Sequence, residues 1–235
     1  MGSGKKRLKA RRKKKSIQRR EVRKEMGKPV FFTLMHCPHV MKGFSNRYNY
    51  KATLYKVSYK RARFENVKWQ SSNITSCSFS GAHLVGVDFY NSNLKNTSFK
   101  NAHLEHVVFF NCNLRNANFS GTTFDHVTFI STNINVADNI VTDDSCTIYR
   151  TYPKLLISPD VETGLLELAQ FSKIYLSHVL HVSKHKLNLW TLKLLFDTYG
   201  DSTYRALLAI SRKADKRGFC TVYAYKKHIE KYLRL

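Results

Sequence analysis

Histidine and cysteine are the side chains here most able to do metal or covalent chemistry, and the chain holds ten of one and five of the other. His178, His181 and His185 stand three and four residues apart. On a helix that spacing shares one face and could hold a metal ion, although a polar helix stripe is the simpler reading. His36, Cys37 and His39 form a second set, but no further ligand with zinc spacing follows them. Cys37, Cys77, Cys112, Cys146 and Cys220 show no paired spacing. An odd, scattered set reads as reduced thiols in a cytoplasmic protein. The chain has no Gly-rich phosphate loop, no nucleophile elbow and no Ser-His-Asp arrangement. The sequence therefore predicts a protein that is not an enzyme, with no metal and no cofactor.

Phosphate binding is the chemistry the sequence supplies in quantity. Lys and Arg number 40 against 16 Asp and Glu, for a net charge of +24. Residues 1–28 hold 14 of the cations and two of the acids, a net +12. The cations expected to touch phosphate there are Lys5, Lys6, Arg7, Lys9, Arg11, Arg12, Lys13, Lys14, Lys15, Arg19, Arg20, Arg23 and Lys24. Like charges at this density repel and leave little to bury, so 1–28 is predicted to be a disordered basic arm. The remaining chain is different, because hydrophobic residues make up 43% of the whole and suffice for a core. No apolar run reaches the 18 or so residues of a membrane span, and no signal-peptide segment follows Met1.

The elements that must carry any surface site show an internal repeat. From Leu54 every fifth residue to Ile134 is large and apolar. The series includes Tyr59, Phe64, Trp69, Phe79, Phe89, Phe99, Phe109, Phe119 and Phe129. Two residues before each stands a small or β-branched one, such as Ala52, Val67, Cys77, Val87 or Cys112. Neither the helix period of 3.6 nor the strand period of 2 produces this pattern.

Units such as Ser92-Asn93-Leu94, Cys112-Asn113-Leu114 and Ala117-Asn118-Phe119 resemble the pentapeptide-repeat family. The resemblance covers about residues 52–139. It implies a mainly β fold, a right-handed quadrilateral parallel β-helix with 20 residues per coil. Folding the sequence by 20 places like on like: Leu54, Ile74, Leu94, Leu114 and Ile134 on one face, and Tyr59, Phe79, Phe99 and Phe119 on the next. Asn73, Asn93, Asn113 and Asn133 form an amide column. Lys60, Lys95, Lys100 and Arg115, with Lys56 and Arg61, fall on the outside of the first two faces. Glu65, Glu105 and Asp125 fall outside the third, beside His106 and His126. Tyr90, Phe110 and Ile130 form an apolar ladder outside the fourth, which something must cover. The C-terminal segment is the simplest cover and a second copy of the chain the alternative.

Five segments result: the arm 1–28, a lead-in or cap 29–51, the β-helix 52–139, a linker 140–159 and a helical region 160–235. Arg212, Lys213, Lys216, Arg217, Lys226, Lys227, Lys231 and Arg234 crowd the last helices. They read as a second basic patch or an ordinary solvated face.

Two classes of function fit. The first is nucleic-acid binding through the arm, with the β-helix as a rigid body. Ribosomal or structured RNA is favoured over DNA, by analogy with the basic extensions of ribosome-associated proteins. The second follows from the resemblance: some family members protect type II topoisomerases such as gyrase and topoisomerase IV against inhibitors by resembling acidic duplex DNA. Residues 50–139 carry nine bases and five acids, the opposite sign. Anionic membrane is a weaker third partner, because the arm lacks apolar anchors.

Overall fold

The five-residue period builds a solenoid, and the C-terminal helices cover one of its faces. The computed structural model describes residues 31–235 together with Arg7, Arg11 and Gln18. The other arm residues named above lie outside the described residues. The chain divides into two units, Met1–Phe32 and Thr33–Leu235, and the second holds the repeat.

Its strands are β1 Thr33–Met35, β2 Ser45–Tyr50, β3 Thr53–Tyr55, β4 Arg63–Gln70, β5 Asn73–Thr75, β6 His83–Tyr90, β7 His103–Glu105, β8 Val108–Phe110, β9 Thr123–Asp125, β10 Val127–Ile130 and β11 Cys146–Tyr149. All pair in parallel. The fourth face stacks in the order β2, β4, β6, β8, β10 and β11, which makes about six turns. The register is 20 residues: Leu54 pairs with Ile74, Trp69 with Phe89, and Phe89 with Phe109. The second face is stitched by single bridges from Val40 through Ser58, Ser78, Ser98 and Asn118 to Asp138.

The stacking begins one coil before Ala52 and continues past Asn139. Leu34 pairs with Leu54, and Asn49 with Trp69. Segment 29–51 is thus largely a coil of the solenoid and not a separate lead-in. At the other end Phe129 pairs with Ile148, an offset of 19 residues. One residue fewer in that coil shifts the phase, which is why the apolar series stops at Ile134.

Two local features make the repeat fold. The interior rings are fully buried and stack on one another, with Phe99 centred 5.4 Å from Phe79 and 5.0 Å from Phe119. Parallel stacks at such distances are favourable offset arrangements. Small polar residues survive beside them because each hydroxyl bonds a carbonyl of the coil below, as Thr97 Oγ1 does to Ile74 O at 2.6 Å and Thr132 Oγ1 to Phe109 O at 2.9 Å. Cys77 and Cys112 occupy the same positions. Burial pushes their thiols up to about 11 and about 12, so they stay protonated and inert.

The second feature is the corner. Every fifth residue from Asn46 to Ser131 has a left-handed φ between +47° and +66°. A side chain there costs about 1–2 kcal/mol, least for Gly and Asn. Most corners accordingly carry Asn, Ser or Gly. Gly86 is further constrained, because a Cβ there would lie 2.2 Å from the Tyr223 ring.

After β11 come α1 Pro159–Glu167, α2 Ser172–Ser177, the antiparallel pair β12 His181–Ser183 and β13 Lys186–Leu187, α3 Leu189–Tyr199, α4 Thr203–Leu208 and α5 Val222–Leu233. Gly200 closes α3 with φ +64°. The expected single helix from Val161 to Leu180 is two short ones, broken at Phe171, where the backbone turns extended. Leu165, Ile174, Leu180, Leu192, Leu195, Leu207, Ile210, Tyr225 and Ile229 build a core that also contains Val108 and Ile130 of the solenoid.

Four histidines at or beside this junction are held neutral by burial. His106 is lowered to about 4, and His178, His181 and His228 are lowered as well. A histidine depressed on folding leaves the unfolded chain to take up protons first, so its stabilisation is complete above 6.5 and is lost as pH falls toward the folded value. The melting temperature should therefore fall steadily from pH 7 to about pH 5. A flat profile across that range would contradict the neutral assignment.

Candidate nucleic-acid interface

Surface cations sit on a rigid frame whose geometry the register fixes. The i+1 column of the first face runs Tyr55, Thr75, Lys95, Arg115, and that of the second runs Lys60, Ser80, Lys100, Ser120. Lys60, Lys100 and Arg115 are exposed and Lys95 half-buried. The structure thus brings the four expected cations onto two neighbouring faces. With coils about 4.8 Å apart, Lys60 and Lys100 stand about 10 Å apart along the axis.

The strongest concentration lies elsewhere. Between Glu25 and Glu65 the sequence has no acid. In the described part of that stretch Lys42, Arg47, Lys51, Lys56, Lys60, Arg61 and Arg63 are all exposed. Lys51, Lys56 and Arg61 occupy three successive left-handed corners. Tyr48 and Tyr50 project from the same coil, 37% and 41% exposed, with ring planes 10° apart. The absence of acids was readable in the sequence. That these residues form a coil was not, because His39 and Asn49 interrupt the apolar series.

The acidic column is short and partly occupied. Glu65, Glu105 and Asp125 share it with Val85. His103 lies 3.9 Å from Glu105, and His126 pairs with Asp125. His106 stacks between His126 and Tyr223, with ring centres 4.9 and 5.5 Å away.

Tyr90, Phe110 and Ile130 are covered within the chain. Ile130 is wholly buried and Tyr90 nearly so, against the C-terminal core. Phe110 meets Trp190 edge-on at 6.5 Å, and Tyr90 stacks on His178 at 6.0 Å. The intermolecular role assigned to these three is therefore corrected: they are an internal seam, and the second-copy reading through them has no exposed apolar ladder to use.

Beside that seam lies an ion pair unforeseen in the sequence. Lys68 Nζ is 3.2 Å from Asp88 Oδ2, and both side chains are almost completely buried. Val222 N, in the first turn of α5, donates to the same oxygen at 3.0 Å. The positive end of the helix thus faces the carboxylate. Burial pushes the Asp88 carboxyl up, and Lys68 and the Val222 N–H pull it partly back. Asn66 extends the junction: its Oδ1 accepts from Thr221 Oγ1 at 2.6 Å, and its Nδ2 donates to Gly218 O at 3.0 Å.

The remaining candidates disperse. His178 ends α2 in a left-handed conformation, His181 lies in β12 bonded to Leu165 O, and His185 follows the strand, so the three share no helix face. Among the described residues no three His, Cys, Asp or Glu side chains group to hold a metal ion. The C-terminal cations form no single patch. Lys226 is buried, Lys216 lies over the Phe171 ring, Arg217 pairs with Asp215, and Arg212, Lys227, Lys231 and Arg234 are exposed separately. No helix among the described residues is long and apolar enough to cross a membrane.

Stacked five-residue sides around a filled interior define a parallel repeat solenoid. Residues 62–138 match the family described as pentapeptide repeat region, and through that stretch the chain belongs to the pentapeptide-repeat proteins. Similar solved structures include Rfr23, a pentapeptide repeat protein from the cyanobacterium Cyanothece 51142 (17% identity, 45% of this chain and 63% of that one, TM-score 0.30). HetL, involved in heterocyst differentiation regulation in the cyanobacterium Nostoc sp. strain PCC 7120, is 14% identical over 46% of this chain and 45% of its own, with TM-score 0.26. QnrB1, a plasmid-mediated fluoroquinolone resistance protein, is 12% identical over 50% of this chain and 78% of its own, with TM-score 0.25. The chain spans less than two thirds of the length of the first two. No curated protein sequence matches the chain.

Proposed function

We propose that this protein is a non-catalytic nucleic-acid-binding protein, with structured RNA as the favoured partner. The observation that carries the reading is the distribution of charge: +12 in residues 1–28, and exposed cations on two adjoining faces of a rigid solenoid. The arm supplies affinity, and the basic faces set orientation. A topoisomerase partner through mimicry of DNA would need a long regular acidic column. The column here is three carboxylates, two of them beside histidines, which favours the first reading.

Salt-titrated binding tests it. If about eight arm cations meet phosphates, log affinity against log salt should have a slope of about −6 to −7. Deleting residues 1–28 should bring the slope to about −1 to −2 while the body stays folded. Changing Lys60, Lys95, Lys100 and Arg115 together should weaken binding less, and equally across sequences, because phosphate contacts do not read bases. Binding unchanged by the deletion would end the role of the arm. Topoisomerase protection that survives the deletion and fails on loss of Glu65, Glu105 and Asp125 would replace the reading altogether.

A further inference from the structure

We infer that the acid-free first coil is a docking surface for an unpaired segment of RNA, with tyrosines receiving bases and corner cations receiving phosphates. The inference rests on the nucleic-acid reading above and specifies which form of nucleic acid the body takes.

Three observations carry it. First, residues 31–64 contain seven cations and no acid, and all seven cations are exposed. Second, the cations are placed where the fold does not ask for them. In the next three coils the corners equivalent to Lys51, Lys56 and Arg61 are Ser71, Ser76 and Gly81, then Asn91, Asn96 and Asn101, then Asn111, Asn116 and Gly121. Asn and Gly suit the left-handed conformation best, so a run of long cations at three successive corners works against local preference. Residues held against backbone preference cluster where function needs them.

Third, the coil repeats a ring-then-cation unit. Tyr50 is followed by Lys51, whose Nζ lies 5.1 Å from the Tyr50 ring centre. Five residues on, Tyr55 is followed by Lys56, whose Nζ lies 5.4 Å from the Tyr55 ring centre. Tyr50 and Tyr55 stand at outward positions of adjoining sides, with the Lys51 corner between them. An aromatic face takes a base of any identity, and an adjacent ammonium takes its phosphate. That combination is how single strands are held without sequence reading. Duplexes hide their base faces in the stack and cannot use the rings. Unpaired bases in loops and bulges are what folded RNA presents, so the ring-and-cation unit matches RNA better than duplex DNA.

The test uses the full chain with a single-stranded RNA of about 12 nucleotides, its RNA duplex, and single-stranded DNA of the same sequence, a length within the range such surfaces cover. The single-stranded RNA should bind about ten-fold tighter than the duplex. Y50S/Y55S should lower single-strand affinity about ten-fold or more, with little effect on the duplex. K51N/K56N/R61N should make the salt slope for the single strand shallower by about 2. Its melting temperature should be unchanged or higher, because Asn occupies the same corners in later coils. Equal binding of single strand and duplex, together with Y50S/Y55S behaving as the unaltered chain, would overturn the inference and leave nucleic-acid binding standing. Tighter binding of the single-stranded DNA would overturn the choice of RNA. Failure of every probe to bind would remove the underlying reading itself.

Discussion

Truncating Phe99 to Ala should cost the body about 3–5 kcal/mol, the range for deleting a buried aromatic and leaving its cavity. Phe99 is completely buried. It lies between parallel rings at 5.4 and 5.0 Å and meets Phe89 and Phe109 edge-on at 6.0 and 5.9 Å. Four rings touching one ring cannot all move into the space it leaves, because each is fixed by its own backbone ladder. The control is Lys100→Ala on the outside of the next unit, which should stay within about 0.5 kcal/mol. Denaturant unfolding of both variants measures the contrast. Equal midpoints would mean that the inward and outward positions have been exchanged.

The second large effect belongs to Lys68 and Asp88. Removing one member of a buried pair leaves the other charged and unpaired, which costs about 3–5 kcal/mol. Asp88→Ala should be the worse of the two, because it also strips the acceptor from Val222 N and the counter-charge from the start of α5. Replacing both, as Lys68→Met with Asp88→Leu, should cost less than either single change, since no orphaned charge remains. The damage should be local at first. Protease should cut the C-terminal helices of the single variants while the coils from β4 to β10 stay resistant. A double variant whose cost equals the sum of the two singles would show that the two side chains do not act as a pair.

The sequence made the interior legible and the seam only half so. Phe79, Phe99 and Phe119 could be placed in one column because inward direction repeats every five residues and like residues recur every 20. The period says only which side chains point out of a coil. It does not say which outer face another element will cover. Tyr90, Phe110 and Ile130 announced a covered face by being apolar. Lys68 and Asp88, one column away, looked like ordinary surface charges, since their pairing depends on α5 arriving from more than 130 residues later. The first coil was hidden by His39 and by Asn49, which is buried but bonds Lys68 O through its Nδ2. The last was hidden by a single missing residue before Ile148.

The 20-residue register also governs which insertions and deletions this chain can survive. Adding one five-residue unit between Tyr90 and Phe110 would advance every later residue by one side. Phe110 and Ile130 would then point away from the C-terminal helices, and Tyr90 and Asp88 would stay behind facing them. Adding four units would instead insert a whole coil and restore every column, lengthening the solenoid by about 4.8 Å. The seam with the C-terminal helices therefore limits tolerated length changes within it to whole coils, so that length can vary only in steps of about 20 residues.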